Sequence, residues 1–223
     1  QLQTGKPEDP AAPELIELFM SLLGVVAYLA HTRIDVVVFV SALQRHTSKP
    51  RLIHNKRLNK LLSWVQRNPK KLAYRRLGGG SSTAEPAEIH LKAISDAAYK
   101  KETEDGYSLR GAVFTISEGK LSEATLGGNP RSHVIDWVCK SQRHVSRSTF
   151  ASELLSAGDT GDQAIVISQM LYELRHGILE AQKARELRTK GGFIPIALYI
   201  DAKSVYAAIT AVAVRVPTEK SLL

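Results

Sequence analysis

The sequence predicts an α/β fold in which a mixed sheet carries flanking helices and is preceded by a small helical segment. Two observations predict it. Hydrophobic periodicity changes from helical to strand-like after a glycine-rich stretch at residues 78–82, and the elements that follow have the order β-β-β-α-β-α. With 43% hydrophobic and 23% charged residues, the composition excludes wholesale disorder. The single cysteine, Cys139, excludes an internal disulfide and a cysteine-based zinc cluster, and it favours an intracellular protein.

Two linker-like stretches in the sequence predict a division of the chain into two domains. Residues 14–77 are predicted to form the helical, basic segment, after a proline-containing linker at 1–13. A linker rich in glycine and serine at 78–88 separates it from the α/β domain at 89–223. Because the last residues read as the opening of a helix, we expect this second domain to be truncated at its C-terminus.

Three helices are predicted before the linker. The first two are apolar stretches at 15–30 and 35–44, with Asp35 as a candidate cap of the second. The third has apolar residues at i, i+3, i+4 and i+7 and is expected to end near residue 68. No membrane span is expected, because the 15–30 run is short and contains Glu17.

The second domain is predicted to alternate strands and helices. Strand candidates are residues 89–95, 107–116, 133–140 and 194–200, and helix candidates are 150–178 and 205–212. Gly158 and Gly161 are expected to break or bend the first of these helices. The run at 194–200 is continuously apolar, which predicts a strand buried on both faces of the sheet.

Positive charge is concentrated in the first domain. Residues 43–77 contain eleven Lys or Arg and no Asp or Glu, whereas the whole chain has a net charge of +8, so the remainder is 8 − 11 = −3. This asymmetry predicts a polyanionic partner, although a solvated face without a ligand has the same pattern. Trp64 and Tyr74 could stack on bases, but Trp64 neighbours the apolar Val65 and is expected in the core. The candidate nucleic-acid-binding residues are Lys56, Arg57, Lys60, Arg67, Lys70 and Lys71.

Acidic residues stand where chemistry is expected in the second domain. Asp96 and Asp201 each follow an apolar strand candidate, and sites in open α/β sheets gather at the carboxyl ends of strands. Glu153 lies near the start of the long apolar helix. Each of the three could equally be a surface or capping carboxylate.

Five short motifs resemble, in chain order, the ribonuclease H domain of copia-type (pseudoviral) retrotransposon polyproteins. They are Ile94-Ser95-Asp96-Ala97-Ala98-Tyr99; Gly106-Tyr107-Ser108 with Gly111-Ala112-Val113-Phe114; Ile135-Asp136-Trp137-Val138-Cys139-Lys140-Ser141-Gln142; Ser148-Thr149-Phe150-Ala151-Ser152-Glu153; and Leu198-Tyr199-Ile200-Asp201-Ala202-Lys203-Ser204. Upstream, Ser21-Leu22-Leu23-Gly24, Thr32-Arg33-Ile34-Asp35 and the basic helix at 51–68 look like the thumb and connection segment that closes a reverse transcriptase.

The resemblance implies a ribonuclease H-like sheet and a metal-dependent endonuclease that cleaves the RNA strand of RNA–DNA hybrids. Asp96, Glu153 and Asp201 match the family's catalytic acids, which bind two divalent cations, Mg²⁺ or Mn²⁺. The family's fourth carboxylate would follow Leu223, and Ala202 stands where copia elements often have Asn. The implied partners are the hybrid and the remainder of the polyprotein, with no membrane, in a cytoplasmic particle or the nucleus.

Other functions follow less well from the sequence. A connection module that binds nucleic acid without chemistry, or a decayed and inactive element, remains the alternative. The chain has no adjacent Asp-Asp pair, so the polymerase motif is absent. Asp159-Thr160-Gly161 matches an aspartic-protease tripeptide, but it falls within a helical pattern rather than on a loop.

Overall fold

A computed structural model describes residues 5–77, 88–99, 108–124 and 131–211. It divides the chain into two compact units, residues 1–73 and 74–223. The linker predicted at 78–88 lies, apart from Glu88, outside the described residues, as does the end of the chain from residue 212. None of the described helices has both the length and the apolar character that a bilayer span requires.

Three α-helices are found among the described residues of the first unit. They are α1 (Pro13–Leu29), α2 (Val37–Gln44) and α3 (Leu52–Arg67). Each presents one apolar stripe to a shared core, as the helical periodicity predicts. The core residues are Phe19, Leu23, Val26, Val36, Val40, Leu43, Leu58 and Leu61.

Chain segments outside the helices complete this unit. The backbone N–H groups of Leu52 and Ile53 donate to the carbonyls of Asp9 and Pro7, at 3.0 and 2.9 Å. Residues of the predicted N-terminal linker thereby satisfy N–H groups of the first turn of α3. The prediction that Asp35 caps the second helix is wrong, because the carboxylate instead accepts two hydrogen bonds of 2.9 Å from the Arg33 guanidinium.

The second unit contains a four-stranded mixed sheet, which confirms the predicted fold class and is consistent with a ribonuclease H-like fold. Its strands are β1 (Ile89–Ala98), β2 (Leu109–Glu118), β3 (Ser132–Ser141) and β4 (Ile196–Ile200). Their order in the sheet is β3-β2-β1-β4. The pairs β1–β2 and β2–β3 are antiparallel, whereas β1 and β4 are parallel.

In the part of the second unit that the structure describes, three α-helices accompany the sheet, and one of them packs on it along most of its length. They are α4 (Thr149–His176), α5 (Ala181–Lys190) and α6 (Lys203–Ile209). The core between α4 and the sheet is formed by Leu91, Ala93, Ala112, Phe114 and Ala164. The helix α4 therefore packs over β1 and β2, and Ser156 in its first half contacts β1 at Asp96, near the carboxyl end of that strand.

Three details differ from the sequence predictions. The helix α4 continues through Gly158 and Gly161 without a break. The helix α5 was not predicted, because its sequence is highly charged and only Ala184 is buried. The strand β4 is not buried on both faces: it ends the strand order of the described sheet, and Leu198 is 40% exposed.

Candidate functional site

Two of the candidate acids lie side by side at one edge of the sheet. In the parallel pairing of β1 with β4, Ser95 is the partner of Ile200, so the next residue of each chain segment is Asp96 and Asp201. Both aspartates are exposed. The two strands are direct neighbours in the sheet, and functional sites are expected where the carboxyl ends of parallel strands meet.

On the other side of β1, Asp96 lies directly opposite Gly111 of β2. A Cβ atom built on Gly111 would come no closer than 4.0 Å to a neighbouring heavy atom, the carbonyl oxygen of Val138. The surface next to Asp96 on the β2 side therefore carries no side chain at this register position.

The third acid is brought to the same edge by the first turns of α4. The helix begins after Ser148, whose hydroxyl accepts a 3.1 Å hydrogen bond from the N–H of Ala151. One turn later, Glu153 is 8% exposed. It lies three residues before Ser156, so both residues are on the face of α4 that meets the end of β1.

Hydrogen bonds from two serines tie this face of α4 to β1. The hydroxyl of Ser156 donates to the carbonyl of Asp96 at 3.0 Å. Ser156 has no second hydroxyl hydrogen, so Ser95 is the donor in the 3.0 Å bond between the two buried side chains. The link couples the backbone of Asp96 to the helix that carries Glu153. Sequence reasoning missed Ser95 and Ser156 as positioning residues, and their distance of three residues or fewer from the acids was the only signal.

A second anchor holds the start of α4 to the end of β3. The side-chain amide of Gln142 donates to the carbonyl of Ser152 at 2.6 Å, and the backbone N–H of Gln142 donates to the carbonyl of Ser108 at 2.8 Å. Gln142, Ser152 and Ser108 are all buried. Glu153 thus sits in a helical turn that is fixed from two sides.

The three carboxylates that match the family's catalytic acids lie close together, as the resemblance implies. One oxygen from each of Asp96, Glu153 and Asp201 lies within 4.8 Å of the others. Burial, followed by the charges of Asp201 and Asp96, raises the pKa of Glu153 from its ordinary value of 4.5 to about 7, although a hydrogen bond from the backbone N–H of Ala97 lowers it in part. Such a set of hard oxygen ligands could hold a divalent cation.

The basic candidates lie in the first unit and are exposed. Lys56, Lys60 and Arg67 occupy the face of α3 opposite its core stripe, with spacings of four and seven residues. Arg57 lies on the flank of this face, and the guanidinium of Arg67 donates to the carbonyl of Ser63 at 3.0 Å. After the helix, Lys70 and Lys71 are also exposed. Lys70 forms an ion pair with Asp35.

The expectation that Trp64 lies in the core is wrong, since its side chain is 36% exposed. The core stripe of α3 is filled by leucines, and the indole lies beside it. The guanidinium carbon of Arg33 is 5.5 Å from the ring centroid and the Nζ of Lys70 is 5.8 Å from it. Tyr74 is exposed, and its hydroxyl donates to the carbonyl of Val134 at 3.0 Å.

Comparison with known proteins finds relatives among plant transposons. The chain is 26% identical over 156 residues to the retrovirus-related Pol polyprotein from transposon RE2 of Arabidopsis thaliana, and 25% identical over 156 residues to that from transposon RE1. The alignments cover 70% of the chain, which spans 9% of the length of either relative. No family model and no solved structure matches the chain. Over most of its length the chain is therefore similar to a segment of transposon Pol polyproteins, and this supports a place within a retrotransposon polyprotein.

Proposed function

We propose that the second unit is a metal-dependent endonuclease of the ribonuclease H type, which cleaves the RNA strand of RNA–DNA hybrids as part of a retrotransposon polyprotein. The observation that carries the proposal is the convergence of Asp96, Glu153 and Asp201 within 4.8 Å at the carboxyl edge of β1 and β4. The partners would be the hybrid and the rest of the polyprotein, in a cytoplasmic particle or the nucleus.

The chemistry of the donor set fits two Mg²⁺ or Mn²⁺ ions. All three ligands are carboxylates, which such hard cations prefer, and two of them, Asp96 and Asp201, are exposed to an incoming substrate. When bound, the two cations would activate a water molecule and stabilise the leaving 3′-oxygen. Burial of Glu153 and the nearby charges of Asp201 and Asp96 disfavour its ionised form without a bound cation, and together they raise its pKa to about 7.

The residues of this chain have distinct roles in the proposed site. Asp96 and Asp201 present carboxylates from rigid strand ends, where the substrate phosphate can approach. Glu153 contributes from the buried side and has to release its proton when the site is loaded, because its pKa is close to neutral. Ser156 and Ser95 act as positioning residues, since they fix the distance between α4 and β1.

Cleavage of a labelled hybrid tests the proposal. A hybrid carrying a 5′-labelled RNA strand is incubated with Mg²⁺ or Mn²⁺ and either the 223-residue chain or a protein that continues past Leu223 with its native downstream sequence. We expect the longer protein to release RNA fragments with 3′-hydroxyl and 5′-phosphate ends and to leave the DNA strand intact. Asp96→Asn should reduce the rate by at least about 100-fold, because it removes a ligand charge.

The ends of the products separate this activity from contamination. Metal-independent ribonucleases that use the 2′-hydroxyl leave a cyclic phosphate on the labelled fragment. Only labelled products that end in a 3′-hydroxyl, formed at least about 100-fold more slowly by Asp96→Asn, support the proposal. A longer protein that leaves the hybrid intact with both metals would reject it. Binding without cleavage would favour an inactive remnant of such an enzyme.

A second candidate function is nucleic-acid binding without chemistry by the first unit. The exposed face formed by Lys56, Lys60 and Arg67, with Arg57 on its flank, is the observation that favours it. Phosphate neutralisation makes affinity fall with salt, by a slope of about 0.9 per contact on duplex. Replacing Lys56, Arg57 and Lys60 together by Gln should lower that slope by up to about 3. An unchanged affinity and slope would remove this function.

A further inference from the structure

A cavity of about 780 Å³ lies between α2 and α3 in the first unit. Its α2 wall is made by Phe39, Ala42 and Leu43, which are spaced i, i+3 and i+4 and so share one face of that helix. The volume falls within the range of pockets that hold small organic molecules. All of the residues that line it belong to the first unit.

The α3 wall combines apolar and basic side chains. Arg57, Lys60, Leu61 and Trp64 line it with spacings i, i+3, i+4 and i+7, which again places them on one face. Leu61 is buried, whereas the basic residues are exposed. A molecule in the cavity would therefore touch apolar atoms at the floor and cationic groups at the rim.

The electrostatics of the rim favour an anion. Asp35 is the acid among the lining residues. Its carboxylate is paired with Arg33 and, at 3.3 Å, with Lys70, and the hydrogen bond from Arg33 is the main reason that the pKa of Asp35 is lowered to about 2. Among the described residues, no ion pair engages Arg57 or Lys60. The cavity thus offers two uncompensated cations beside an apolar surface, which suits a ligand with a flat apolar body and a negative group.

The indole of Trp64 supplies a stacking surface that can be opened. The ammonium of Lys70 lies 5.8 Å from its ring centroid, and that side chain is 60% exposed. Moving an exposed lysine away from a carboxylate and a ring costs little. A planar group could then take the place of the ammonium against the indole, while Arg33 stays buried at 5.5 Å from the centroid.

We infer that this cavity takes one unpaired nucleotide of a single-stranded nucleic acid, with the base against Trp64 and the phosphate at Arg57 and Lys60. The inference rests on the proposed nucleic-acid-binding role of the first unit and adds a preference to it. A paired base in a duplex is stacked and cannot enter, so the cavity would distinguish single strands from the duplex held by the basic face. Stacking of one base changes affinity by about 5- to 100-fold.

The test uses the full chain with Trp137→Phe, which leaves Trp64 as its single tryptophan. Three ligands are titrated: a single-stranded thymidine 12-mer, an abasic 12-mer with the same phosphates, and an RNA–DNA hybrid. We expect the thymidine strand to quench Trp64 fluorescence and to bind at least about fivefold more tightly than the abasic strand. Equal affinity and quenching for those two ligands would overturn the inference. In this experiment none of the residues that line the cavity is substituted.

A cavity-filling variant provides the second arm. Ala42→Phe should occupy the space without altering any charge, and it should reduce the preference for the thymidine strand to near one while leaving hybrid affinity unchanged. Val25→Phe is the matched control, because Val25 is 61% exposed on α1 and does not line the cavity. An Ala42→Phe protein that keeps its circular dichroism spectrum and its full preference would also overturn the inference.

The same titrations separate the two proposals. If all three ligands bind equally, the cavity has no role and the basic face is retained. If none binds, both nucleic-acid proposals for the first unit fail, whereas hybrid cleavage tests the carboxylate site independently.

Discussion

Replacing Glu153 by Gln should stabilise the metal-free second unit, and the gain should depend on pH. The pKa of this glutamate is raised from its ordinary value of 4.5 to about 7 in the folded protein. A raised pKa contributes stability that is fully present below 4.5 and is lost as pH rises through about 7. Glutamine resembles the protonated acid and does not titrate, so the two proteins should be alike at low pH and differ at high pH.

The size of the effect follows from the same shift. A difference of 7 − 4.5 = 2.5 units corresponds to at most about 3.4 kcal/mol at 1.36 kcal/mol per unit. The site opens to solvent beside the exposed Asp96 and Asp201, which screens part of this cost. We therefore expect Glu153→Gln to raise the free energy of unfolding by about 1 to 3 kcal/mol at pH 8 and by less than about 0.5 kcal/mol at pH 4.5.

Urea unfolding followed by the fluorescence of Trp137 measures this difference. The two tryptophans lie in different units, so a Trp64→Phe background makes the signal specific to the second unit. Glu186→Gln is the matched control, since this exposed glutamate has a 3.9 Å ion pair with Lys183 that should contribute little. The reasoning would be refuted if Glu153→Gln were less stable than wild type at pH 8, or if it changed the free energy of unfolding by the same amount at both pH values.

The remaining predictions concern ligands and packing. Millimolar Mg²⁺ or Mn²⁺ should raise the melting temperature of the second unit, and Asp96→Asn or Asp201→Asn should abolish the rise, as differential scanning calorimetry would show. The apparent metal affinity should increase about tenfold from pH 6 to pH 8, because the buried acid must ionise; isothermal titration calorimetry with an unchanged affinity would contradict this. Ser156→Ala should cost about 1 to 3 kcal/mol and weaken metal binding, whereas a loss of stability alone would limit the serine to a structural role. Asp35→Ala should destabilise the first unit by about 2 to 4 kcal/mol in thermal melts, because it leaves the buried Arg33 without its carboxylate.

The three acids of the candidate site were assigned together through the resemblance to the ribonuclease H domain, and two of them also follow a simple positional rule. Asp96 and Asp201 stand where apolar strands lose their apolar character, and the parallel pairing of those strands brings the acids to one edge. Glu153 was harder, since an acid between apolar residues on a helix can face solvent as well as a site. Its burial depends on where α4 packs, which involves contacts between residues about sixty positions apart.

The features that the sequence did not predict depend on tertiary contacts. An apolar run such as 194–200 is compatible with a central strand, but the exposure of Leu198 depends on which strands flank β4. The helix α5 has only one buried residue, so it lacks the apolar stripe on which prediction depends. Trp64 is adjacent to a core position, and only the packing of α2 against α3 places it at a cavity instead.

Because Gly111 has no side chain, the surface beside the Asp96 carboxylate is unobstructed on the β2 side. In an antiparallel pair, side chains directly opposite each other share a face, with Cβ atoms about 5 Å apart. Any side chain at Gly111 would therefore stand next to Asp96 and narrow the route by which a bulky polyanion reaches the acids. A methyl group added at Gly111 would meet no heavy atom closer than 4.0 Å, so a substitution here can narrow the approach to Asp96 while the fold stays intact. A substitution at this position would therefore alter access to the site without destabilising the sheet. Changes here could alter which polymers reach the three carboxylates while the carboxylates themselves stay in place.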